Sequence, residues 1–355
     1  MKLVYDWHCP RPGEIAQALQ GGTALERNPV IVVSFPADSE ARSLLYRELG
    51  ESSRLVFLKD LGDIESRRSA LESADVLLSF ILGREIPSPE LLFLKNLKLF
   101  QSLLAGVDAL PFPLMPKQAI LCSNAGAWAD PLAEHALAMA LALGKNLLPL
   151  HAKLARGEFD NSRESLWFRK ASAAIVGFGG IGKAVARLFR SLGMEIRAVN
   201  TTGQTLEPVD WIGTLDQLEE AVRDAHVVVL SLPLTRRTRG MIGKKQLEWM
   251  RKDAILVNVA RGALIQEEAL YEHLKANPSF RAGVDTWWIE PATHGEFRVH
   301  FPFFRLENFL GSPHNSNLVN GIFPVALQAA VDNVCRFLAG EPPLGIVDPA
   351  DYMED

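Results

Sequence analysis

Short apolar runs recur along the chain, separated by stretches in which apolar residues return every three or four positions. A first series reads "KLVYDW", "PVIVVSF", "RLVFL", "DVLLSF", "LKLFQSLL" and "AILCSN". Between some of these lie helical patterns such as "SEARSLLYRELG" and "PELLFLKNL". A second series reads "ASAAIVGFG", "MEIRAVN", "HVVVLSL", "AILVNVA", "RAGVDTW" and "NFLGSP", spaced by "KAVARLFRSLG", "TLDQLEEAVRDA" and "EEALYEHLKAN". Strands alternating with helices at this spacing predict parallel sheets covered by helices on both faces. Two α/β units are therefore expected. The segment "DPLAEHALAMALALGKNLLPLHAKLARGEF" between them predicts one or two long helices, and a last helix around "PVALQAAVDNVCRFLAG" is placed to return to the first unit.

A length of 355 residues accommodates two domains, each with its own core. A net charge of −5 argues against a broad electrostatic grip on nucleic acid. The start "MKLVYDWHCPRPGE" lacks the apolar run of a secretory signal, and "HALAMALALGKNLL" meets Lys145 well short of a membrane span. Cys9, Cys122 and Cys335 are scattered, without metal or disulfide spacing, and His8 beside Cys9 has no further ligand at metal spacing. No metal site is expected, and a reduced cytoplasmic setting is the default.

The first motif with chemistry in it is Gly177-Phe178-Gly179-Gly180-Ile181-Gly182. It follows an apolar run and opens a helical pattern. Glycines there permit a tight turn and close backbone approach to a pyrophosphate, which the free N–H groups of the helix start attract. Alone, the glycine pattern also fits a βα turn that binds nothing; strand before and helix after favour a dinucleotide. The second signal is a set of three polar residues, each just after a strand-like run. Arg261 follows "AILVNVA", Glu290 follows "GVDTWWI" and His314 follows "NFLGSP". Ligands of open parallel sheets sit at the carboxyl ends of the strands, so a cation, a carboxylate and an imidazole are expected to gather on the edge that carries the glycine turn.

With these motifs in place the chain resembles the D-isomer-specific 2-hydroxyacid dehydrogenase family. The matching stretches are "VGFGGIGKAVARLFRSLGM", "LSLPLTRRTRGMIG", "ILVNVARGALIQEEAL", "GVDTWWIEP" and "SPHNS", with "LLAGVDAL" and "NAGAWADPLAEHALAMALAL" matching more loosely. The resemblance runs from about Lys98 to the last helix. It implies two doubly wound parallel-sheet domains with the active site in the cleft. A flavodoxin-like substrate domain would use residues 1–122 and 315–355, and a Rossmann cofactor domain would use 123–314. It implies hydride transfer between NAD(P)H and C2 of a small 2-oxo or 2-hydroxy acid, and a homodimer built on the cofactor domains. Arg261 would hold the substrate carboxylate and polarise the C2 oxygen, for which its planar fork is suited. His314 would exchange a proton with that oxygen, oriented by Glu290. The family pattern adds backbone N–H groups of Ala105 and Gly106 for the carboxylate. It also adds Asp285 near the nicotinamide amide, and Pro233, Thr238, Val259, Ala260 and Arg261 along the cofactor cleft. His135, next to Glu134 in a pair the family often has, is expected to be structural. At least one of Trp287 and Trp288 is expected to pack rather than line a pocket.

Two other functions share this build. A formate dehydrogenase would carry glutamine where this chain has Glu290, and a cofactor-sensing corepressor would bring a long tail or basic arm for partners. Leu103, Leu104 and Trp128 suggest a small or apolar substituent on the substrate, so that glyoxylate, hydroxypyruvate and short branched 2-oxo acids all fit. The cofactor question turns on Asn200, 18 residues beyond Gly182, where NAD-specific folds place an acid for the adenosine ribose. Asparagine carries no charge to repel a 2′-phosphate, and its NH₂ donates. Thr201 and Thr202 add hydroxyls, and Arg236 and Arg237 lie in the loop after a neighbouring strand. These residues favour NADP, with NAD as the alternative.

Overall fold

The computed structural model describes residues 28–353, so the strand expected at "KLVYDW", together with His8 and Cys9, lies outside the described residues. The chain divides into two compact units, one made of the described residues up to Ala127 and from Asn320 onward, the other Trp128–Val319.

In the first unit, β1 (Val30–Val33), β2 (Arg54–Phe57), β3 (Val76–Ser79), β4 (Leu99–Ser102) and β5 (Ile120–Cys122) pair in parallel in the order β2-β1-β3-β4-β5. That order is the flavodoxin-like winding. The runs VIVV and VLLS are buried at every position, as strands covered on both faces must be. Asp38 starts the helix Ser39–Leu49 by accepting the Ala41 N–H, and Leu45 and Leu49 face the sheet. The helix Ile322–Leu338 buries Leu327, Ala330, Val331 and Val334 in the same layer. Each such Val or Leu contributes about 1.5–3 kcal/mol on burial, enough to bind this distant segment to the sheet. A buried amide pair reinforces it: Asn333 donates to Gln101 Oε1 at 2.6 Å and accepts the Leu344 N–H at 2.6 Å. Leu103 is fully buried in this core, which removes it from the candidate substrate contacts.

The second unit holds β6 (Ser172–Val176), β7 (Glu195–Val199), β8 (Trp211–Gly213), β9 (Val227–Leu230), β10 (Ile255–Asn258), β11 (Arg281–Val284) and β12 (Phe309–Gly311). All pair in parallel, in the order β12-β11-β10-β9-β6-β7-β8. Read from β8, this is the Rossmann winding with one extra strand, and its switch point lies between β6 and β9. The strand β8 is absent from the sequence-based set. It is a three-residue edge strand of half-buried side chains, without an apolar run to announce it. The long helical stretch resolves into Ala129–Gly144 and Leu147–Ala155, separated where Asn146 turns left-handed at φ 52°. The first of these buries Ala133, Ala136, Met139, Ala140 and Leu143, a stripe at helical spacing, against the sheet and the helix Gly180–Ser191. No helix among the described residues is long and apolar enough to cross a membrane.

Candidate active site

The turn after β6 is built as the glycines require. Gly177 sits at φ 98°, and a Cβ there would lie 2.6 Å from the Leu232 backbone nitrogen. A Cβ on Gly182 would collide with the Gly177 carbonyl oxygen. Gly179 is different: a Cβ on it would meet nothing within 4 Å. That glycine faces open space, and it stands directly before the helix Gly180–Ser191, whose start has no side-chain cap. The unfilled N–H groups and the open approach fit a diphosphate.

Asn200 directly follows β7, on one side of β6. Its side chain is spent on its own loop: Oδ1 accepts the N–H groups of Gly203 at 2.7 Å and Thr202 at 3.1 Å, and Nδ2 donates to the Gln204 carbonyl at 2.8 Å. Thr201 and Thr202 are exposed. On the other side of β6, the loop after β9 is shaped by Thr238, whose hydroxyl donates to the Pro233 carbonyl at 2.8 Å and accepts the Thr235 N–H at 2.8 Å. Arg236 and Arg237 are exposed on that loop, so β6 separates them from Asn200.

Arg261 follows β10 in extended backbone, half-buried, with Nη1 donating to the Ala260 carbonyl at 2.8 Å. Two features fix it there, neither of them anticipated. Asn258, fully buried at the end of β10, accepts the Ala260 N–H at 3.1 Å and donates to the Arg261 carbonyl at 2.8 Å, pinning the Val259–Arg261 turn from inside. Its signal was a polar residue closing the apolar run ILVN. Gly262 then lies so close to the Trp287 backbone that any side chain would collide with it, which holds Arg261 against the loop after β11.

That loop ends at Glu290. Its Oε1 accepts the Trp287 N–H at 2.6 Å, and its Oε2 meets His314 Nδ1 at 2.7 Å. Burial alone would push the carboxyl up. The bonds from His314 and Trp287, with the charges of His314 and Arg261, outweigh it and hold Glu290 below the usual carboxylate range. Its charge is therefore present throughout the neutral range and is lost only in acid. His314 itself is left-handed at φ 50°, a strained setting for a non-glycine residue. Its N–H donates to the Asp285 carbonyl at 2.8 Å. Asp285 is fully buried, and its carboxylate accepts Ser312 Oγ at 2.5 Å and the N–H groups of Asn315 at 3.1 Å and Ser316 at 3.3 Å. It presents no exposed oxygen to a cofactor in this conformation. Trp287 and Trp288 both pack, their indole N–H groups donating to the carbonyls of Ser312 and Ile265.

Arg261, Glu290 and His314 are thus brought together at the carboxyl ends of β10, β11 and β12. Strands lie about 4.8 Å apart, so Arg261 stands roughly 10 Å along the edge from the glycine turn. Ala105 and Gly106 occupy a half-buried turn after β4, at the carboxyl edge of the first unit's sheet. Trp128 is buried. A cavity of about 530 Å³ opens at the other edge of the second unit, by the starts of β11 and β12, and contains none of these residues.

Residues 137–316 match the family model described as D-isomer specific 2-hydroxyacid dehydrogenase, NAD binding domain. The glycerate dehydrogenase of Methylorubrum extorquens is 30% identical over 257 residues, covering 70% of this chain and 78% of that protein. The glyoxylate reductase of Thermococcus kodakarensis is 28% identical, covering 86% and 89%. Among solved structures, a D-isomer specific 2-hydroxyacid dehydrogenase from Xanthobacter autotrophicus, in complex with NADPH, aligns with a TM-score of 0.76. It covers 92% of this chain and 100% of that one at 23% identity, a likeness of fold. The chain belongs to the D-isomer specific 2-hydroxyacid dehydrogenase family, an oxidoreductase family with a nicotinamide-cofactor domain.

Proposed function

We propose that the protein reduces small 2-oxo acids with NAD(P)H, the reverse reaction oxidising the 2-hydroxy acid. The observation that carries this reading is the 2.7 Å contact of His314 Nδ1 with Glu290, beside Arg261. The cofactor supplies the hydride to C2. Arg261 offers its planar fork to the substrate carboxylate and C2 oxygen. With Nδ1 engaged by Glu290, Nε2 of His314 is the nitrogen left to give the C2 oxygen a proton during reduction and to take it back during oxidation. The diphosphate would lie on Gly177–Gly182, with the adenosine towards Asn200 and the nicotinamide past Pro233, Thr238, Val259 and Ala260. Asp285 serves this arrangement by holding the His314 loop. Exposed Leu147, Leu148, Leu154, Phe159 and Trp167 form the surface a second copy would cover in a homodimer. A panel of glyoxylate, hydroxypyruvate and short branched 2-oxo acids, ranked by kcat/KM with each cofactor, tests the reading. Absence of turnover with all of them would leave a cofactor-sensing scaffold instead.

NADPH is the cofactor favoured by Asn200. The Asn200→Asp variant keeps the acceptor for Gly203 and Thr202, but loses the donor to Gln204 and adds a charge facing a 2′-phosphate. At this half-buried position the repulsion is about 1.4 kcal/mol, a tenfold effect. The expected result is a drop of about tenfold in kcat/KM with NADPH and a much smaller change with NADH. A wild-type preference for NADH of about tenfold or more would overturn this assignment.

Glu290→Gln gives a pH signature. Reduction requires the imidazolium and is lost as pH rises. Glu290 is ionised across the neutral range, and its carboxylate lies 2.7 Å from Nδ1 of the ring. Without that charge, the falling limb of the reduction profile is expected to move to lower pH. The rising limb of oxidation should move the same way. A limb that stays in place would uncouple the two residues.

A further inference from the structure

The ring of His135 is the outer end of a directed hydrogen-bond chain that ends on the His314 loop. It projects from the helix Ala129–Gly144, and Nε2 lies 2.9 Å from Ser312 Oγ. Ser312 has one hydroxyl proton, which goes to Asp285 Oδ1 at 2.5 Å, because an ionised carboxylate only accepts. The Ser312 oxygen must therefore accept from His135, which fixes the proton on Nε2 of that ring. The order is His135 N–H to Ser312 O–H to Asp285. Asp285 Oδ1 lies 3.5 Å from the same nitrogen. From Asp285 the chain reaches the loop directly: its carboxylate takes the N–H groups of Asn315 and Ser316, and its carbonyl takes that of His314. Ser312, at one end of the loop, also accepts the Trp287 indole through its carbonyl. The residue clamped between these bonds is His314, in the left-handed region.

We infer that His135 is a positioning residue for the acid/base step, holding Ser312 and Asp285 so that the strained His314 keeps its contact with Glu290. The inference rests on the proposed reductase reading, in which His314 moves the proton. A strained backbone persists only where its surroundings over-determine it. Here the surroundings are the three-membered chain, and His135 is the member that anchors it to a rigid helix. The cofactor turn at Gly177–Gly182 takes no part in the chain.

The test uses His135→Phe, which keeps a planar ring of similar bulk without the donor, and His135→Gln, which restores an N–H. In the full-length protein, the Phe variant is expected to lose about tenfold in kcat, with KM for NADPH within about twofold. The Gln variant should recover most of the loss. An independent measurement needs no substrate: the pH titration of the His314 Cε1–H resonance in histidine-labelled protein, assigned by its absence in His314→Asn. His135→Phe should displace that titration or broaden it, and His135→Gln should restore it. Glu290 and Arg261 are the charged groups facing His314, and Asp285 faces His135; none of them is altered. A Phe variant with kcat within about twofold of wild type and an unmoved titration would overturn the inference. Equal losses in the Phe and Gln variants, with only a lower melting temperature, would do the same. Should the wild type turn over no 2-oxo acid, the reductase reading falls, and the resonance still decides whether His135 governs the setting of His314.

Discussion

Arg261→Lys is expected to lower kcat/KM for the 2-oxo acid by about 10²–10³-fold while cofactor affinity stays within about twofold. The reason is geometric. One guanidinium nitrogen, Nη1, already donates to the Ala260 carbonyl at 2.8 Å and so aims the group. A guanidinium carries its N–H donors in one planar fork, the geometry that a carboxylate and the oxygen where charge builds during hydride addition call for. A lysine ammonium carries the same charge but no fork, and it cannot hold Ala260 and grip two oxygens in one plane. The backbone gives no escape, since the turn is pinned by Asn258 and pressed on the Trp287 backbone at Gly262. Binding of the diphosphate takes place at the glycine turn, about two strands away, and should be untouched. Titration of NADPH fluorescence measures that affinity, and steady-state rates measure the rest. Turnover by the Lys variant within about threefold of wild type would remove Arg261 from the mechanism.

The residues that were legible in the sequence share one property. The three polar side chains Arg261, Glu290 and His314 each follow an apolar run, and a parallel sheet sends the ends of such runs to one edge. The glycine turn was legible because backbone collisions leave no other residue possible at Gly177 and Gly182. What was hidden depends on contacts between segments distant in sequence. Leu103 follows β4 in an apolar stretch, yet it packs with Ile31, Leu78 and Leu327, and no local pattern distinguishes a core leucine from a pocket leucine. The strand β8 gains its place only by pairing with β7. Distance along the chain makes Asn200 a candidate ribose contact. Its amide bonds to residues two to four positions onward, so the proposed preference for NADPH rests on the charge it lacks. His135 lies 177 residues from Ser312, and a helical histidine beside a glutamate announces no such partner.

His314→Asn is the sharpest test of the proton step. The choice of asparagine follows from the backbone: position 314 sits at φ 50°, and asparagine enters the left-handed region more readily than most side chains. The loop, held by Asp285 and Ser312 through atoms other than the imidazole, should keep its shape. The substituted amide does not titrate near neutrality and cannot exchange a proton with the C2 oxygen. General acid–base catalysis by a placed side chain contributes about 10²–10⁴-fold, so kcat should fall by that factor in both directions. The pH limb assigned to the imidazole should vanish from both profiles, leaving a low rate without that dependence. Glutamine at 290 can still accept the Trp287 N–H, so Glu290→Gln acts on the proton step through His314, and adding it to His314→Asn should cost little more than His314→Asn alone. NADPH should bind both variants as it binds the wild type. A single variant that keeps more than about a tenth of the wild-type rate, with its pH limb in place, would show that another group supplies the proton.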